Sequence, residues 1–130
     1  MKNLGPIRAL FVLSALYDGV LGLIFLFAAP QIFTHFNVSP PNHASYVTFP
    51  ALLLIIFALM FSAIAANPRT NRNLIPYGIL LKLSYCGTVF YYWLTGGVPG
   101  MWKPFAFIDL AFVAVFAWAM TAIPPRGSGK

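Results

Sequence analysis

Negative charge is almost missing from this chain: among 130 residues only Asp18 and Asp109 are acidic, against eight lysines and arginines. Charged residues make up 8% of the sequence, where soluble domains carry roughly 25%, so a surface built for water alone is excluded. The single cysteine, Cys86, rules out an internal disulfide and a cysteine-based metal cage. The net charge of +6 is spread as isolated residues, with no basic stripe interleaved with aromatics, so nucleic acid is not an expected partner. No nucleophile is matched to a base either. Cys86 has no histidine on its segment, and no serine, histidine and acid fall at one depth, which argues against a hydrolase and leans away from an enzyme.

What the chain has in quantity is apolar length. It is 60% hydrophobic with a mean hydropathy of +0.81. Four apolar runs, residues 7–29, 47–66, 74–95 and 104–123, each reach the roughly 20 residues that cross a bilayer as a helix. The expectation is an all-α integral membrane protein, one domain over residues 1–130, folded as a bundle of four transmembrane helices. Pro30 is expected to close the first run, while Pro50, Pro76 and Pro104 fall near the starts of the other three, where a missing N–H costs little. A cleaved signal peptide is the rival for the first run, with Lys2 and Arg8 before it and Ala28-Ala29 at its end; the length of the run and the acid in its middle argue against cleavage. The two halves show no aligned polar pattern, which weakens an inverted-repeat transporter.

The basic residues set the expected topology. Lys2, Arg8, Arg69, Arg72, Arg126 and Lys130 fall on one side of the four runs and only Lys103 on the other, so both termini and the connection 67–73 are expected in the cytoplasm. The connection 31–46, without lysine or arginine, then faces outward. Tyr46, Tyr91, Tyr92, Trp93 and Trp102 gather at the outer boundary and Tyr77 and Trp118 at the inner one, as interfacial anchors do. The ending Arg126-Gly127-Ser128-Gly129-Lys130 has letters of a phosphate loop but no strand before it and no helix after it; it reads as a flexible tail or an expression remnant.

Asp18, Lys82 and Asp109 stand inside the apolar runs. Each charge left facing lipid costs roughly 2.5 to 3.5 kcal/mol, so the three are expected to turn inward and form a buried polar centre. Asp18 shares a helix face with Ser14, Ala15 and Gly22, and Lys82 shares one with Gly78, Tyr85 and Cys86. The second run carries Ala51, Ala58, Ser62 and Ala65 at helical spacing, a line small enough for close helix approach. Counting about 1.5 Å per residue from flush helix ends puts Lys82 level with Asp18, which it would reach directly, and several ångströms from Asp109, which it would reach through a water or hydroxyl. Two roles compete for this centre. It is either a salt bridge that fixes helix register, or a ligand or proton site to which Ser14, Tyr17 and Tyr85 contribute, with Tyr77, Ser84 and Thr88 extending a polar path. His35 and His43 are weak candidates for metal or pigment ligation, since no third ligand lies near them; loop hydrogen bonding is the plainer reading.

Four runs of this size, Tyr17-Asp18-Gly19 in the first, Asn67-Pro68 at the second turn and Lys82 in the third together resemble the layout of the small DoxX-like membrane proteins of bacteria. The resemblance implies a bacterial inner-membrane protein and, because name-giving members are linked to a quinone-dependent thiosulfate oxidoreductase as a small subunit, an accessory role. It transfers no catalytic residue. Three functions are therefore open: an accessory or scaffold subunit packing against other membrane proteins or itself; a binding protein for a lipophilic molecule such as a quinone, lipid or pigment, anchored by Asp18 and Lys82; and a proton-coupled transporter.

Overall fold

The computed structural model describes residues 3–124, and all regular structure among them is helical. Lys2, Arg126, Lys130 and the Gly-Ser-Gly-Lys ending lie outside the described residues. Four long helices follow in order: α1 over Gly5–His35, α2 over Ser45–Ala66, α3 over Ile75–Thr95 and α4 over Lys103–Ala122. All four are long and apolar enough to cross a membrane. Their contacts fall into two compact units, one of Gly5–Ala66 and one built from Asn67 onward, so the molecule is described here as two helical hairpins, α1–α2 and α3–α4.

The first hairpin closes where small residues meet. A Cβ added at Gly22 would stand 2.8 Å from the Ala51 carbonyl oxygen and 2.9 Å from the Ile55 side chain, so only glycine lets the two backbones approach this closely. Further along, a Cβ at Gly19 would meet that of Ala58 at 3.4 Å, and the rings of Phe11 and Phe61 lie 6.1 Å apart. Ala51, Ala58 and Ala65 are buried as their spacing predicts, whereas Ser62 is exposed and donates its hydroxyl back to the Ala58 carbonyl. Its place in the small line is corrected: a hydroxyl can satisfy itself on its own helix and needs no neighbour.

Pro30 bends α1 without ending it. Its ring gives no N–H to the Leu26 carbonyl, and Ala28 leaves helical geometry at φ −131°, ψ 20°, yet the helix resumes and runs to His35. The stop comes from Asn37, at φ 55°, with Val38 N–H donating to Phe33 O and Asn37 N–H to Thr34 O, the paired bonds of a Schellman motif. The first connection is thus shorter than the expected 31–46. On its far side the His43 Nδ1 accepts the Ser45 N–H at 3.1 Å and α2 begins two residues early. Pro50 therefore sits past the first turn of α2 and forfeits one ladder bond, in place of the start position expected for it.

The second hairpin begins as its sequence predicts. Asn67 Oδ1 accepts the Thr70 N–H, a short 3₁₀ turn spans Arg72–Leu74, and Pro76 and Pro104 occupy the first turns of α3 and α4. Gly96 and Gly97 end α3 by donating both N–H groups to the Tyr92 carbonyl, Gly97 at φ 90°.

Candidate functional site: a buried lysine between helix faces

Lys82, the most deeply buried cation of the described residues at 1% exposure, occupies the inner face of α3 together with Gly78 and Cys86. Asp109 occupies the corresponding face of α4 with Ala106 and Phe112. The Lys82 Nζ lies 3.2 Å from Asp109 Oδ1 and 4.9 Å from the centroid of the Phe112 ring. The approach to Oδ1 is an ionic contact and does not meet hydrogen-bond geometry. A carboxylate and an aromatic face are both neighbours that attract a cation.

The direct contact corrects the expected water-bridged one. Arg72, three residues ahead of α3, donates through Nη2 to the Met120 carbonyl at 2.8 Å and through Nε at 3.3 Å. Cys86 packs in one cluster with Ala106. Residues 72, 82 and 86 are thus level with 120, 109 and 106, an antiparallel register in which α4 runs about a turn past the start of α3. Counting from flush helix ends misses that offset and places Asp109 too far from Lys82.

Asp18 belongs to the other hairpin. It is 1% exposed and lies on the buried stripe of α1 that runs through Phe11, Ser14 and Gly22, as its spacing predicts, with Tyr17 half-buried beside it. The Ser14 hydroxyl, on a residue with no exposure, has no hydrogen-bond partner among the described residues. Tyr85, half-buried on α3, donates its hydroxyl to the Trp102 carbonyl at 2.9 Å and so ties α3 to the turn before α4. Ser84 and Thr88 are exposed and donate back to the Leu81 and Ser84 carbonyls, while Tyr77 is exposed near the start of α3. The polar path considered from sequence therefore loses Ser84, Thr88 and Tyr77, which do not share the buried face of Lys82.

His35 ends α1 with its ring edge-on to Phe36 at 4.9 Å, and His43 caps α2. Among the described residues no three of histidine, cysteine, aspartate and glutamate are placed to hold a metal ion. Neither histidine is buried.

Comparison with known families, curated proteins and solved structures finds no match. The site has to be read from its own chemistry. A second feature that spacing alone did not reveal lies at the far end of the same hairpin. Phe90, Trp93 and Phe107 form a three-ring cluster with centroids 5.3 to 6.2 Å apart, and the Lys103 ammonium sits 4.2 Å over the Trp93 ring. The only basic residue expected on the outer side is thus held by an aromatic face.

Proposed function

We propose that this chain is a multi-pass protein of a bacterial-type inner membrane, its four helices forming one bundle with both termini in the cytoplasm, and that it serves as an accessory or scaffold subunit for another membrane protein. The observation that carries the accessory reading is the outward face of α3. Ser84, Gly87 and Thr88 are exposed there between Leu80 and Tyr91, and a Cβ built at Gly87 meets nothing within 4 Å. In a bilayer lipid tails are as apolar as leucine, so helices associate through small and hydroxylated residues that allow close approach, and a face of this kind is surface for a second helix.

The charged side chains support the same reading from the other direction. The contacts of Lys82 with Asp109 and Phe112 suit a device that sets the register of α3 against α4. The exposure of Ser84 and Thr88, whose hydroxyls donate back to their own helix, favours this reading over a proton path through them. The DoxX-like layout is in keeping with an accessory subunit by analogy alone.

Native mass spectrometry of the protein extracted gently from its own membrane tests the proposal. A defined additional protein mass that disappears in Gly87→Leu, with the hairpin still folded, is the expected result. A partner-free monomer from the same membrane overturns it.

A further inference from the structure

The first hairpin contains a cleft of about 750 Å³ that no part of the polar centre uses. The bent end of α1, the loop after it and the first turn of α2 enclose it. Its volume lies within the roughly 300 to 1,000 Å³ common to small-molecule sites. Phe25, Phe33 and Val47 supply apolar wall, and Thr34, Asn37 and Thr48 supply hydroxyl and amide groups. Among the described residues no charged side chain lines it. Pro30 and Leu26 are both part of the lining, and because Pro30 has no N–H, the Leu26 carbonyl at the bend is deprived of its helical donor. The Pro40-Pro41 pair, also in the lining, holds the opposite wall stiff.

We propose that this cleft binds a neutral lipid bearing a free hydroxyl on its head, of the diacylglycerol type, drawn from the bilayer. An uncharged lining gives no counterion for a phosphate head. Thr34, Asn37 and Thr48 can accept as well as donate, and Pro30 removes the i+4 N–H from the Leu26 carbonyl, so a hydroxyl, which does both, is a better match than a head with acceptors alone. The apolar wall takes the first part of the acyl chains, and the open side lets the rest remain in the membrane. The proposal rests on the membrane-spanning reading and is independent of the accessory role.

The test is photo-crosslinking of the full chain in phosphatidylcholine nanodiscs with a diacylglycerol carrying a diazirine near its glycerol, mapped by peptide mass spectrometry. Labelling is expected to concentrate within residues 25–48, to be competed by unlabelled diacylglycerol and to resist competition by phosphatidylglycerol. Ala44→Trp, at an exposed lining position whose role in α2 is played by its backbone carbonyl, fills the cleft and should abolish the label. Thr34→Val with Thr48→Val removes two hydrogen-bonding groups and should weaken competition by about fivefold to tenfold. Labelling spread over all four helices and unchanged by Ala44→Trp marks ordinary boundary lipid and overturns the proposal, as does equal competition by phosphatidylglycerol. If Ala44→Trp fails to reconstitute, the threonine variant decides: unchanged competition overturns the site. A protein that proves to be a partner-free monomer yet labels within residues 25–48 loses the accessory role and keeps the lipid site.

Discussion

The two hairpins hold together by different means. In α1–α2 the backbones come close at Gly22 and Ala51, and the buried residues are mostly small or aromatic, with Ile7, Ile64 and the single charge of Asp18 among them. In α3–α4 the seam carries Lys82 against Asp109, Tyr85 donating to Trp102 and Arg72 donating to Met120, with an aromatic cluster at one end. On the membrane-spanning reading proposed above, both are answers to one difficulty. Between helices in lipid the hydrophobic effect contributes little, leaving close packing and polar contacts as the forces that choose a partner. The first hairpin relies on shape, which tolerates no added volume; the second relies on directed contacts, which tolerate volume but not the loss of one partner. Each substitution below separates these two modes.

The largest effect is expected from Asp109→Leu. It leaves the Lys82 ammonium buried without its carboxylate, and breaking a buried pair costs about 3 to 5 kcal/mol. Lys82→Met should cost a similar amount. The double variant Lys82→Met with Asp109→Leu should recover most of the loss, because two apolar residues of like volume replace the pair. Unfolding in mixed detergent, monitored by helicity, measures all three. If the double variant is no more stable than the single ones, the pair does more than set register.

Next comes Gly22→Ala, which forces a methyl to within 2.8 Å of a backbone oxygen that cannot turn aside and should cost about 1 to 3 kcal/mol. Gly87→Ala is its counterpart in the second hairpin. There the added methyl meets nothing within 4 Å, so removing glycine from a helix interior should stabilise the isolated protein by about 0.5 to 1 kcal/mol. Opposite signs for the same chemical change are the expected outcome. Equal destabilisation would mean that the outward face of α3 is packed in the isolated protein.

Tyr85→Phe is expected to cost about 0.5 to 1.5 kcal/mol, the net worth of one ordinary hydrogen bond, since the ring remains and only the donation to Trp102 is lost. The same unfolding assay reads it. A much larger loss would give the hydroxyl a second role, such as the ligand contact considered from sequence.

How much of this was legible beforehand differs between the hairpins too. The helices, the inward turn of Asp18, Lys82 and Asp109, and the small face of α2 follow from spacing and from the cost of a charge in hydrocarbon. The direct Lys82–Asp109 contact was out of reach because it depends on the offset of α4 against α3, set by the loop around Gly96 and Gly97 and by Arg72, whose partner lies 48 residues away. Arg72 reads in sequence as a topology signal, and nothing local marks it as the group that caps α4. The cleft was hidden for a related reason: Pro30 is ambiguous between a stop and a bend, and only the bend encloses a volume.

The smallest expected effect tests whether the aromatic end of α3–α4 depends on its cation. Lys103→Gln removes an ammonium 4.2 Å above the Trp93 ring, a contact worth about 0.5 to 1 kcal/mol at a partly exposed position, and leaves the stacking of Phe90, Trp93 and Phe107 in place. Topology should not change, because the bias of basic residues toward the other side only becomes stronger. The expected signature is a small drop in stability with a shift in tryptophan emission, the latter absent when Trp93 is first replaced by Phe. A loss as large as that of Asp109→Leu would show that this end of the hairpin, and not the buried pair, governs its folding.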